Sequence, residues 1–288
     1  IIILSTITVF GLVLFIWREL TYKRPVVNLG VLKDGNLRIG TVMCFILGFG
    51  LYGSTLIIPI YTQTILGWTA TDAGLLLIPG SITTAFMMPI VGKLLQRGVP
   101  QSYMVGLGFL IFFFFTYMMH NNMTPSTGVE HLYWGLILRG IGLGLLFVPI
   151  TTLSLSTLKG KDIGEGAAFT GMMRQLGGSF GIATITTFIT RFNQEHRVNL
   201  VSHLDTTRLE VQQRVLTLQK GFMSKGFTAN ESLNKAYQVI DYSVMKQSAV
   251  LSYMDIFLYL GIMFLCCIPI IFLIKKGKNT INPADAMH

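Results

Sequence analysis

Acidic residues are scarce. The 288-residue chain has 13 Asp and Glu against 22 Lys and Arg, and charged side chains make up only 12% of it, about half the ~25% usual in soluble domains. With 51% hydrophobic residues and a mean hydropathy of +0.60, an ordinary soluble core is excluded: there is more apolar surface than such a core can hide. Cysteine is nearly absent. Cys44, Cys266 and Cys267 all sit in apolar runs, and no CxxC pair or His/Cys spacing is present, so neither a disulfide framework nor a metal site is expected. Paired carboxylates, a nucleophile elbow and a phosphate-cradling loop are all missing, and no catalytic residue is assigned. The net charge of +9 is not gathered into one patch, which argues against nucleic acid as a partner. No basic segment precedes the opening IIILSTITVF, so it does not read as a signal peptide. It reads as the end of a helix whose upstream part lies outside this sequence.

What is present is a series of apolar runs. Seven segments, 1–17, 39–65, 72–92, 102–119, 132–157, 166–189 and 251–274, approach the length needed to cross a bilayer, about 20 residues. The expectation is therefore an all-α membrane protein with seven spans. The division is 1–38, a helix end and linker; 39–189, a five-helix bundle; 190–250, a long connection; 251–274, the last span; and 275–288, a tail. Twelve Lys and Arg fall in 18–38, at 93–97, at 159–161 and in the tail, while the short connections 66–71 and 120–131 carry none. Basic residues collect on the cytoplasmic side, which places the linker and the C-terminus inside and 190–250 outside. In that long connection Val211, Val215, Leu218 and Phe222 recur at helical spacing, Gly221 and Gly226 read as helix breakers, and Thr228 to Glu231 reads as a capping box. A hairpin without special role and a docking surface for a partner are both open readings.

Within the spans the polar residues are few and specific. In LRGIGLGLLFVP, Arg139 lies in an apolar run, followed by Gly140, Gly142, Gly144 and Pro149. A lone cation at membrane depth reads as functional by default, and the alternative is an arginine snorkelling to the headgroups. The glycines read as a face for close helix packing. GMMRQLGGSFG repeats the theme: Arg174 and Gln175 are polar at depth and expected to line a cavity, and Gly177, Gly178 and Gly181 to pack. Tyr52 is a candidate substrate contact, and Tyr61 and Gln63 are undecided between a pathway and an interfacial belt. Asp255 is the one acid plainly inside an expected span. It reads either as a partner of Arg139 or, preferably, as an interfacial aspartate in contact with water. His120 and His131 are read as solvated.

Four stretches together resemble the major facilitator superfamily, and specifically the C-terminal half of the 14-helix drug:proton antiporters of the EmrB/QacA type. They are LYGSTLIIPIYTQTILGWTATDAGLLLIPG (51–80), GKLLQRGVPQ (92–101), RGIGLG (139–144) and MRQLGGSFGIA (173–183). In the second, Gly92, Leu94 and Arg97 match the family's G-x-L-x-D-R-x-G loop, while Gln96 stands for the acid and Val99 for the second glycine. The resemblance implies helices eight to fourteen of a helical bundle and a multi-pass protein of the bacterial inner membrane. It implies a proton-coupled antiporter exporting hydrophobic or cationic drugs and other amphipathic molecules, with the proton as coupling ion and no cofactor. In Gram-negative members, a periplasmic adaptor and an outer-membrane channel are the implied partners. Alternatives are a peptide or nutrient importer on the same fold, or a membrane sensor or assembly protein that transports nothing.

Overall fold

The computed structural model describes residues 34–205 and 208–273, together with scattered positions between 6 and 21. The expected first span, 1–17, and the tail, 275–288, fall outside the continuously described residues. The described part is helical: α1 Gly35–Thr64, α2 Ala70–Leu76, α3 Ile78–Gln96, α4 Gln101–Asn122, α5 Val129–Leu155, α6 Lys161–Ser202, α7 Leu209–Met223 and α8 Ala229–Cys267, which ends in a 3-10 turn, Ile268–Leu273.

Among the described residues, five segments are long and apolar enough to cross a membrane: α1, α2 with α3 as one unit, α4, α5 and α8 with its terminal turn. The unit Ala70–Gln96 is interrupted at Leu77, where Pro79 begins α3 without an N–H to continue the ladder. Helix α6 is as long as a span but less apolar, because Arg174, Gln175 and a run of Gly, Ser and Thr dilute it. Large apolar side chains face outward, Phe86 and Trp134 being 68% and 64% exposed. That is the arrangement expected when the surrounding solvent is lipid rather than water.

Helix α1 packs against α6 and α5, α4 against α5 and α8, α3 against α5, and α8 also against α6. An aromatic cluster joins α4 and α8. Phe112 stacks on Phe264 with ring centroids 4.1 Å apart, and Phe109, Phe115 and Phe257 join edge-on. Tyr61 is fully buried: its hydroxyl donates to the Thr124 carbonyl at 2.6 Å and lies 2.9 Å from the Thr127 hydroxyl. It therefore ties α1 to the α4–α5 connection rather than lining an interface, while Gln63 is exposed. At the opposite end of α1, Asp34 caps the helix. One carboxylate oxygen accepts from the Asn36 and Leu37 amides at 2.9 Å and from the Thr157 hydroxyl at 2.7 Å, joining the α1 start to the end of α5.

Helices α6 and α8 have 42 and 39 residues, roughly 60 Å each at 1.5 Å per residue. That is about twice the ~30 Å of a hydrocarbon core, so both run on past it. The boundary drawn at 189/190 falls inside α6, and the one at 250/251 inside α8. Helix α7 lies on α8 through the expected stripe, with Val215 buried and Val211, Leu218 and Phe222 half-buried. The capping box is present, Thr228 and Glu231 bonding reciprocally, and α8 continues from it unbroken. Gly221 does not break α7, which tolerates it two residues before its end. The turn is made at Gly226, whose φ of +92° suits a residue without a side chain.

Candidate functional site

Arg139 lies ten residues into α5, roughly 15 Å from the helix start, and is 5% exposed. Its side chain crosses to α1. Nε donates to the Ser54 hydroxyl at 2.9 Å, and one terminal nitrogen donates to the Leu51 carbonyl at 3.2 Å and to the Thr55 hydroxyl. The acceptors are all neutral. Ser54 and Thr55 each donate in turn to carbonyls of their own helix, Gly50 and Leu51, at 2.6 Å. Arg139 does not snorkel: it is a buried cation held by hydroxyls and a carbonyl.

The glycines around it permit these contacts. A Cβ on Gly140 would meet the Gly80 carbonyl and Thr83 of α3, and one on Gly144 would meet Met87. Gly142 faces α4, where a Cβ would stand 3.1 Å from the Phe112 amide nitrogen. Pro149, inside α5, is buried. On α6, Gly177 and Gly181 rest on the Phe45 and Phe49 carbonyls of α1, and Gly178 on the Tyr52 ring. Gly48 of α1 returns the contact, lying against the Arg174 carbonyl. Helices α1 and α6 thus touch backbone to backbone.

This close approach sets the second polar group. Arg174 is half-buried, and its guanidinium lies over the Phe147 ring of α5, 4.5 Å from the centroid. Phe147 is eight residues beyond Arg139 along α5, so the two cations sit on the order of 10 Å apart along the bundle. The Tyr52 hydroxyl donates to Gln175 Oε1 at 3.0 Å across α1 and α6.

Asp255 does not pair with Arg139. It accepts from His196 Nε2 at 2.7 Å, with the two side chains 34% and 25% exposed. The same α6–α8 seam carries Arg197 on Asp241 at 2.9 Å and Ser248 donating to Asn193 at 2.8 Å. His120, read as merely solvated, has Nδ1 2.8 Å from the Met254 carbonyl, to which it donates. The Asp255 pair therefore fastens the helical extension, and half-exposed pairs of this kind contribute up to about 1 kcal/mol. Asp255→Asn should lower stability by no more than that and leave the Arg139 bonds intact. A loss several times larger in a denaturation series would contradict this placement.

The loop motif is a helix stop. Arg97 ends α3, Gly98 takes φ +86°, and the amides of Gly98 and Val99 bond back to the Leu95 and Leu94 carbonyls. This is the paired arrangement that satisfies the last carbonyls of a helix. Gly92 has open space around a built Cβ, and Arg97 has no ion-pair partner among the described residues, as expected where Gln96 replaces an acid. A cavity of about 510 Å³ lies on the α6 face carrying Phe188, Arg191, Phe192 and Glu195. It begins fourteen residues beyond Arg174, roughly 20 Å away, and neither intramembrane arginine lines it.

The residues missed in the sequence are Ser54, Thr55 and His196. A Ser-Thr pair in an apolar helix looks like ordinary small-residue packing, and His196 gains meaning only when α6 and α8 are seen to lie side by side.

Residues 1–182 match the Major Facilitator Superfamily. The chain is similar to the fatty acid resistance protein FarB of Neisseria gonorrhoeae, 28% identical over 262 residues, covering 91% of this chain and 50% of that protein. It is also similar to the multidrug export protein EmrB of Escherichia coli K12, 28% identical over 206 residues, or 71% of this chain and 40% of the relative. The lincomycin resistance protein LmrB of Bacillus subtilis is 32% identical over 175 residues, 61% of this chain and 36% of its own. The chain thus spans half or less of the length of these relatives.

Proposed function

The chain belongs to the Major Facilitator Superfamily, and on that premise we propose that the full-length protein is a proton-coupled exporter of hydrophobic and amphipathic small molecules. The part described here supplies one half of the moving bundle. It is a multi-pass membrane protein, and its seat is the bacterial inner membrane, with the tail cytoplasmic and the α6–α8 extension outside. The helical extension is the surface for an adaptor, if the export route continues past that membrane. Alternating access needs halves that rock about a central site. In this reading the glycine-lined contacts of α1 with α6 and of α5 with α3 let helices shift with little side-chain interlock.

The observation that carries the proposal is Arg139, a charge kept at membrane depth on neutral acceptors. Such a charge is costly for the fold and is retained where function uses it. The names of the relatives, which concern multidrug export, lincomycin resistance and fatty acid resistance, support export of amphipathic compounds. The test is expression of the full-length protein in cells stripped of their own efflux pumps, with a panel of neutral, cationic and anionic amphiphiles. Accumulation of at least one class should fall several-fold, and a protonophore should restore it. Unchanged accumulation across the panel overturns the proposal. Entry of peptides or nutrients instead would replace it with an importer.

A further inference from the structure

The ends of the spanning helices mark a membrane rim on α6. Helices α1 and α6 run side by side in the same direction, Phe45 against Gly177 and Phe49 against Gly181, and a Cβ on Gly53 would meet Ile185. Eleven residues beyond Gly53, α1 ends at Thr64; eleven beyond Ile185 stands His196. A separate contact gives the same level. His120, two residues before the end of α4, bonds to the Met254 carbonyl, and the neighbouring Asp255 takes His196. Two membrane helices thus finish level with His196. The cavity of about 510 Å³ on α6 straddles this rim. Phe188 lies roughly 12 Å below it and Asn199 roughly 5 Å above it.

The lining changes along the helix. Phe188 is the deepest lining residue, and Phe192, one turn up, stacks on Tyr259 of α8 with centroids 5.5 Å apart and an interplanar angle of 14°. Phe188 meets the same ring at 6.2 Å. Arg191 stands beside them, and Gln194, Glu195 and Asn199 lie above. Arg191 and Glu195 are both exposed, and neither forms an ion pair or side-chain hydrogen bond among the described residues. They are one turn apart, about 5–6 Å at Cβ, in the weaker of the two orders for a pair within a helix. Two opposite charges are left to a ligand, at the depth where lipid headgroups lie.

We infer that this cavity receives the headgroup of a zwitterionic phospholipid from the leaflet on the extension side. Its phosphate is held by Arg191, its primary ammonium by Glu195, and an acyl chain descends past Phe188 and Phe192. The order of the charges fits. In such a lipid the phosphate is nearer the chains and the ammonium nearer water, and Arg191 is the deeper of the two side chains. A guanidinium binds phosphate oxygens with two parallel bonds. An ammonium with three N–H donors matches the Glu195 carboxylate and the amide oxygens of Gln194 and Asn199. An anionic headgroup satisfies Arg191 but is repelled by Glu195. This depends on membrane seating alone and holds whatever the protein transports.

The experiment uses the full-length protein, purified in detergent and stripped of lipid. It is titrated with dioctanoyl phosphatidylethanolamine, phosphatidylcholine and phosphatidylglycerol, and bound lipid is counted by native mass spectrometry. Phosphatidylethanolamine should bind about tenfold more tightly than either of the others, the effect of one charge-assisted hydrogen-bond set. Glu195→Gln should bring phosphatidylethanolamine down to the level of phosphatidylcholine and leave phosphatidylcholine unchanged. Arg191→Gln should weaken all three, since all carry the phosphate. Both side chains are exposed, so both variants should melt with the wild type when free of lipid; if either does not fold, the selectivity of the wild type and the other variant decide the case. Equal affinity for the three lipids overturns the inference and gives the cavity to a protein segment. Selectivity that survives both substitutions overturns it too, because the lipid then sits elsewhere.

Discussion

Gly177→Val should abolish the folded state, whereas Gly171→Ala on the same helix should be tolerated. Any Cβ at Gly177 falls on the Phe45 carbonyl group, which is backbone and cannot rotate away, so α1 and α6 must separate. Overpacking a tight interior costs about 1–3 kcal/mol per site where side chains can adjust, and here they cannot. Separation would also draw the Arg174 carbonyl off Gly48 and displace Arg174 from Phe147. At Gly171 nothing lies within 4 Å of a built Cβ, and replacing a helical glycine by alanine gains up to about 1 kcal/mol from backbone entropy alone. Thermal unfolding in detergent separates the two. Gly171→Ala should match or exceed the wild type, and Gly177→Val should give no cooperative transition. Equal behaviour of the pair would mean that α1 and α6 are not in backbone contact.

The second large effect is a split between stability and activity at Arg139. Placing an arginine at the centre of a membrane helix costs about 3 kcal/mol on insertion scales, and the hydrogen bonds that Arg139 donates to Ser54, Thr55 and Leu51 offset part of that. Removing the guanidinium strands no hydroxyl, because Ser54 and Thr55 already donate to Gly50 and Leu51. Methionine fills much of the vacated volume and removes the buried charge. Replacement of a buried charge by an apolar side chain of similar size is often neutral or stabilising by about 1–4 kcal/mol. Arg139→Met should therefore fold at least as well as the wild type, with export lost. Arg139→Lys keeps a cation, cannot serve Ser54, Thr55 and Leu51 together, and should retain a fraction of the activity.

Much of the scaffold was legible because membrane helices write their packing into residue size. Gly177 and Gly181, four apart, put two gaps on one face of α6, and the α1 backbone fills both. The capping box at Thr228 and Glu231 announced the start of α8 because its two bonds are local in sequence. The reach of α6 was not legible: residues 190–202 are polar enough to read as loop, and only the neighbouring α8 gives them something to pack on. The partner of Arg139 was hidden for a different reason. Charge complementarity points to Asp255, the one acid plainly within an expected span, yet three neutral oxygens of α1 are closer. Asp255 goes to His196 through a side-by-side placement of α6 and α8 that no spacing within either segment reveals.

The most direct measurement is made on one preparation. The full-length wild type and Arg139→Met are reconstituted in matched vesicles, amphiphile movement driven by an imposed pH gradient is recorded, and the melting temperature of each protein is taken before reconstitution. The wild type should transport, Arg139→Met should not, and the melting temperature of the variant should equal or exceed that of the wild type. Undiminished transport by Arg139→Met, or a collapse of its fold together with its activity, would show that the arginine serves the structure and not the movement of substrate.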